Sequence, residues 1–169
     1  MRNGCKWLRV VAAVLVIGAG PSRQVDASEL MPATDLQREG RAASTDCVPL
    51  LLEFARGDCE YCTLLEQEVL EPMQRNRDYR RRVRMRRLLL DSDRPVRDFD
   101  GRNRDAESLA RRYQVRVTPT LLFVDDRGQE LADRMVGVTT LDFYGAYLDQ
   151  ALEQARDRLR HEGCCPHRP

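Results

Sequence analysis

The apolar run Leu50-Leu51-Leu52-Glu53-Phe54-Ala55 stops at Arg56-Gly57-Asp58, and Cys59-Glu60-Tyr61-Cys62 follows at once, leading into Thr63-Leu64-Leu65-Glu66-Gln67-Glu68-Val69-Leu70. The first segment is short enough for a buried strand, and the last carries its apolar residues at helical spacing. Between them the Gly-containing break is a turn. The unit is therefore a strand, a turn and a CxxC at a helix start, and the rest of the chain must fold around it.

That placement brings chemistry with it. Unpaired N–H groups and the positive dipole end of a first helical turn stabilise a thiolate, which makes Cys59 the better nucleophile. Cys62, one turn further in, is positioned to attack a mixed disulfide on Cys59 and close an internal disulfide, passing two electrons to a substrate. No bound cofactor is needed for such an exchange.

A second segment, Tyr113-Gln114-Val115-Arg116-Val117-Thr118-Pro119-Thr120-Leu121-Leu122-Phe123-Val124-Asp125, stands far downstream of the cysteines. With the CxxC unit it resembles the thioredoxin fold, in which a cis-proline loop lies opposite the cysteine pair. The resemblance covers about residues 49–160 and is nearest to secreted bacterial thioredoxins, the SoxW-like proteins and the C-terminal domain of the membrane reductant conductor DsbD. It implies an α/β fold: a central mixed β-sheet flanked by helices, with Pro119 as the cis-proline. It also implies that Glu53, six residues before Cys59, is the buried acid behind the pair, catalytic together with Cys59 and Cys62. Thr118 and Pro119, with Glu60 and Tyr61 between the cysteines, are the implied substrate-binding residues. Two departures stand out: Asp58 replaces the tryptophan of thioredoxin, and Glu60-Tyr61 replaces its Gly-Pro. Alternation with Leu52 and Phe54 leaves open whether Glu53 faces the core or solvent.

Met1–Ala27 reads as a secretory signal, with Arg2, Lys6 and Arg9 ahead of an apolar stretch over 10–19 and Val25-Asp26-Ala27 as a small-residue cleavage site. The stretch is shorter than the ~20 residues a spanning helix needs. A periplasmic chain starting near Ser28 is expected. Removing 1–27 leaves 24 basic and 26 acidic residues, a net charge of −2 that argues against nucleic acid as a partner. It also leaves Cys47, Cys59, Cys62, Cys164 and Cys165, an odd number, in a compartment where disulfides persist.

Residues 28–48 are expected to be a partly ordered lead-in with a short helix around 34–41. Pro72 is expected to bend or end the CxxC helix. Residues 75–87 hold eight arginines, yet Val83 and Met85 alternate with Arg84 and Arg86, the pattern of a strand with one solvated face. Residues 91–104 read as a loop, 106–113 as a helix, and 121–124 with 130–136 as a hairpin around Asp125-Asp126-Arg127-Gly128. Thr139 or Thr140 caps a last helix carrying Leu141, Tyr144, Leu148, Leu152, Ala155 and Leu159 as its apolar stripe. The tail 161–169 ends the chain with His161, Cys164, Cys165 and His167.

These features point to a periplasmic thiol–disulfide oxidoreductase acting in redox homeostasis. Asp58 and Glu60 beside Cys59 disfavour its thiolate and favour a reductant, while Arg56 opposes them. By resemblance, the partners are disulfide-bearing exported proteins and a membrane electron donor of the DsbD type. The alternative from another class is a metal-binding or metallochaperone protein that uses the CxxC and the Cys/His tail as ligands.

Overall fold

In the computed structural model of the protein, residues 30–164 are described. The leader expected over 1–27, with Cys5, and the tail residues Cys165 and His167 lie outside them.

The centre of the molecule is a four-stranded mixed sheet in the order β2-β1-β5-β6. Its strands are β1 (Leu50–Ala55), β2 (Arg84–Leu89), β5 (Thr120–Val124) and β6 (Met135–Val136). β1 runs parallel to β2 and antiparallel to β5, and β5 runs antiparallel to β6. Every residue of β1 and of β5 is buried, as in central strands covered on both faces. On one face Leu51, Leu121 and Phe123 pack with Leu65 and Leu70 and with α6 (Tyr144–His161). On the other, Leu50, Leu52 and Phe54 pack with α1 (Leu36–Asp46) and α5 (Ala106–Arg112). Strand alternation puts Glu53 on the first face with Leu51, which answers the question its neighbours left open.

Pro72 does not end the helix that follows the cysteines. α2 (Glu60–Leu65) passes through a π-helical turn, Glu66–Leu70, into α3 (Glu71–Arg75), with Pro72 in the first turn of α3. Glu71 donates its N–H back to the Glu66 carbonyl. This wider loop accommodates a proline that lacks an N–H and crowds the preceding turn. A single turn, α4 (Arg77–Arg80), then leads to β2.

The arginines of β2 are not a solvated face. α1 runs to Asp46, further than the sequence suggested, and lies over them. The Arg86 side chain, 13% exposed, donates to Glu39 at 2.5 Å, and Arg84 bonds Asp46 at 2.8 Å. Glu39 is itself buried, so these charges enter the fold as pairs. Ahead of α1 the chain runs along the outer edge of β2: Arg87 donates to Met31 O at 2.9 Å, and Ala33 donates to Arg87 O at 2.7 Å.

Residues 91–104, read as a loop, contain a two-stranded ribbon, β3 (Val96–Arg97) with β4 (Asn103–Arg104). Its turn uses Gly101 at φ 82. Asp98, fully buried, holds the ribbon by accepting from Phe99 N–H and Arg104 Nε, both at 2.7 Å, and from Arg112 on α5. The expected 130–136 strand is broken. Glu130 bridges Val124, and Leu131 and Ala132 then turn into the core before pairing resumes at Met135. The last helix starts at Tyr144 with Phe143 as its N-cap, later than a Thr139 or Thr140 cap would place it, and buries Tyr144, Leu148, Leu152, Ala155 and Leu159.

Candidate active site

Cys59 is the N-cap of α2, and its Sγ accepts the Cys62 backbone N–H at 3.2 Å. The two cysteines are joined in a disulfide, with Cα atoms 5.2 Å apart. Cys59 is half-buried whereas Cys62 is 1% exposed, so only the first sulfur is open to an incoming group. Opening the bond would leave a sulfur at Cys59 that already faces a backbone donor at a helix start, a setting that favours the thiolate. The turn before it is fixed by Gly57, which donates to Asp91 Oδ2 at 2.9 Å just past the end of β2. Asp58 and Glu60 are exposed, and Arg56 is engaged by Glu107 of α5.

Antiparallel pairing of β1 and β5 sets Phe54 opposite Thr120, so the start of β5 lies at the end of the sheet where β1 delivers the cysteines. The Thr118–Pro119 peptide bond immediately before it is cis. Thr120 Oγ1 donates to Val117 O at 2.7 Å, and Gly137 donates to Pro119 O at 2.8 Å, which pins the loop from both sides. Pro119 is buried, Thr118 half-buried and Val117 exposed. On the other element Glu60, Tyr61, Thr63, Leu64 and Gln67 line an open cleft of about 410 Å³. Tyr61 and Leu64 are both exposed there, so apolar surface is offered beside the cysteines as well as on the proline loop.

Glu53 is fully buried, and neither carboxyl oxygen makes a hydrogen bond of good geometry. Burial, then the nearby Glu66 carboxylate, push its carboxyl up to about 9, against the opposing pull of Arg87. Arg87 is the residue paired with Glu53 across β1 and β2, and it donates to Glu66 at 2.7 Å. On α6 the buried Tyr144 hydroxyl lacks a partner, and its ionisation is pushed up by burial and by Glu53. Glu66, Arg87 and Tyr144 were not legible as parts of this site. Glu66 reads as one polar position of an amphipathic helix until the π turn is known, and Tyr144 reads as core.

Among the described residues no group of His, Cys, Asp or Glu is placed to hold a metal ion. Nor is any helix among them long and apolar enough to cross a membrane. His161 lies at the end of α6, and Cys164 sits half-buried against Ser44 O at 3.7 Å. Cys165 and His167, the other ligands of the metal alternative, lie outside the described residues.

No curated protein sequence matches the chain. Among solved structures it is similar to thioredoxin O2 from Arabidopsis thaliana, at 19% identity over 76% of this chain and 94% of that one, with a TM-score of 0.47. A mutant thioredoxin from Halobacterium salinarum matches at 19% identity, 75% and 93% coverage and a TM-score of 0.49. The periplasmic thioredoxin SoxS from Paracoccus pantotrophus matches at 22%, 63% and 98%, with a TM-score of 0.44. The thioredoxin-like domain model matches residues 36–152, a span that includes both cysteines, the proline loop and Glu53. With most of its length inside that match and a CxxC disulfide at the helix start, the chain belongs to the thioredoxin-like domain family as a thiol:disulfide oxidoreductase.

Proposed function

We propose that this oxidoreductase works as a reductase in the periplasm, opening disulfides in exported proteins. The observation that carries the reading is the asymmetry of the pair, with Cys59 accessible beside exposed acids and Cys62 buried behind it. Arg56, the nearby cation that would favour a more oxidising couple, is taken up by Glu107, while Asp58 and Glu60 keep negative charge near Cys59.

In the working direction the Cys59 thiolate attacks one sulfur of the substrate disulfide, forming a mixed disulfide and releasing the first substrate thiolate, which takes a proton. Cys62, as thiolate, then attacks Cys59 Sγ and expels the second substrate thiolate. The substrate gains two electrons and two protons, and the pair ends as the Cys59–Cys62 disulfide. Glu53 accepts the Cys62 proton in this step and returns it when the disulfide is reopened, the role its burial on the same sheet face supports. Thr118, Pro119, Glu60 and Tyr61 receive the extended substrate, with Tyr61 giving it apolar contact. Reopening requires a donor, and a membrane electron conductor of the DsbD type suits a protein exported by removal of 1–27.

The test is the equilibrium reduction potential of the pair, read on the peptide carrying Cys59 and Cys62 across a dithiothreitol or glutathione series. A value near roughly −270 mV supports a reductase, and one near roughly −120 mV turns the assignment round to disulfide donation. Cell fractionation with N-terminal sequencing tests export, and an uncleaved cytosolic chain would refute the location.

A further inference from the structure

We infer that the cleft between β6 and the start of α6 is a subsite for an apolar side chain of the substrate polypeptide, two or three residues away from the cysteine under attack. This rests on the reading that disulfides in polypeptides are the substrates. The cleft has a volume of about 250 Å³, and Met135, Val136, Gly137, Thr139, Tyr144 and Tyr147 help line it. In a chain that is 33% charged residues, none of those lining the cleft carries a charge. Its rim holds apolar surface that the fold leaves in water, with Val136 55% and Tyr147 60% exposed. Phe143, also exposed, sits one helical turn before Tyr147, whose N–H donates to the Phe143 carbonyl at 3.2 Å. Sites for free small molecules begin near roughly 300 Å³, so the cleft suits one large side chain rather than a cofactor.

Two connections to the reaction site identify the occupant. β6 is the outermost strand beside β5, and Val136 pairs with Thr120, the residue after Pro119. Gly137, which lines the cleft, donates its N–H to Pro119 O at 2.8 Å. Adjacent strands lie about 5 Å apart and an extended chain advances about 3.3 Å per residue, so a chain held over Pro119 reaches the cleft within two or three residues. Val117, exposed on the proline loop, carries the apolar rim toward Pro119. From the other side, Tyr144 lines the cleft while its buried hydroxyl interacts electrostatically with Glu53. The cleft therefore adjoins both the proline loop and the acid behind the cysteines. A side chain buried there keeps the substrate cysteine within reach of Cys59 while the exchange proceeds. Large apolar residues are mostly buried in folded proteins, so the subsite selects disulfides of unfolded or partly unfolded chains.

Two peptides test the subsite, each carrying one cysteine as its mixed disulfide with glutathione. One has Leu and the other Ser at the second and third positions on both sides of that cysteine. Full-length protein, reduced with dithiothreitol and desalted, is mixed with each, and single-turnover rates are read by acid quench and mass analysis after subtracting the rate of Cys59→Ser. Cys59 attacks the peptide sulfur and expels glutathione thiolate, and Cys62 then expels the peptide thiolate. The substrate disulfide takes up two electrons and two protons, and the pair is left oxidised. The Leu peptide should react roughly tenfold faster. Val136→Ser combined with Tyr147→Ser, both at exposed positions, should bring the ratio to within about twofold. Hydroxyethyl disulfide, which has no flanking residues, separates the two readings. A parent protein that reduces it but treats the peptides alike overturns the subsite and leaves the oxidoreductase standing, whereas one that reduces no disulfide overturns both. A preference that survives in the double variant also overturns the inference. So does a parent that sediments as a dimer dispersed by the same substitutions, which would assign the face to a second copy of the chain. The peptide ratio is read on the parent, so it decides the matter even if the variant folds poorly.

Discussion

Replacing Glu53 by Gln keeps the shape of the side chain and removes its ionisation. In the native protein the carboxyl titrates at about 9 instead of its ordinary 4.5, because it is enclosed and lies near Glu66. Between those two values the native state holds a proton that the unfolded chain gives up. Native stability therefore falls as pH rises through this window, by ~1.4 kcal/mol per pH unit. The stabilising share of the protonated form is fully present below the lower value and is gone above the upper one. At neutral pH the loss amounts to about 3 kcal/mol, and over the whole window to about 6 kcal/mol. Neither Glu53 oxygen makes a hydrogen bond of good geometry, so the amide forfeits little. Urea unfolding of the oxidised parent and of Glu53→Gln should thus diverge with pH: similar curves near about pH 5, and by about pH 8 a gap of about 4 kcal/mol in favour of the variant, or about 2 M in the urea midpoint. Curves that keep a constant offset across that range would mean that Glu53 ionises normally and that its burial does not hold the proton.

Glu66→Gln removes the charge that contributes second to the Glu53 shift, so the upper limit of that pH window should move downward, as read by the same titration of stability. Asp98→Ala removes the shared acceptor of Arg104 Nε and Arg112 and frees the Phe99 N–H, while Arg104 keeps Asp100; a loss of about 1–3 kcal/mol and earlier proteolysis within 96–104 are expected from chemical unfolding and limited digestion. Gly128→Ala drives a Cβ into the Tyr113 hydroxyl and the Phe99 ring at φ +78, and should cost about 2 kcal/mol or more in chemical unfolding without altering the reduction potential. Cys62→Ser should accumulate the mixed disulfide on Cys59, visible as a mass increment equal to the substrate thiol, and Cys59→Ser should show neither the adduct nor turnover.

Much of the frame could be read from residue order, because its signals are local. A six-residue apolar run, a turn and a CxxC define β1 and α2, and the stripe over Tyr144, Leu148, Leu152, Ala155 and Leu159 defines α6. Pro119 was legible only through the resemblance of its segment, taken with the CxxC, to the thioredoxin fold; alone it reads as a turn proline. What escaped depends on contacts between distant segments. The π turn arises where Pro72 meets a helix that packing keeps going, and no periodicity announces it. Arg84 and Arg86 look solvated until α1 supplies Glu39 from 45 or more residues upstream. Asp98 reads as a loop residue until two arginines converge on it. At the site, Glu53 was suspected from its position, but its face of the sheet is fixed by the pairing with β2 and β5.

The strip of chain lying beside β2 sets a lower bound on how short a working version of the domain can be. Met31 and Ala33 occupy hydrogen-bonding positions of Arg87 on the outermost strand of the sheet. A gene fragment cut to begin at β1 would leave that side of β2 with donors and acceptors facing water, in a form that invites another chain to add a strand. The CxxC turn could be intact in such a fragment, and it would still tend to self-associate. Trimming for crystallisation or fusion must therefore keep Leu30, whose side chain is fully buried, together with the strip that follows it.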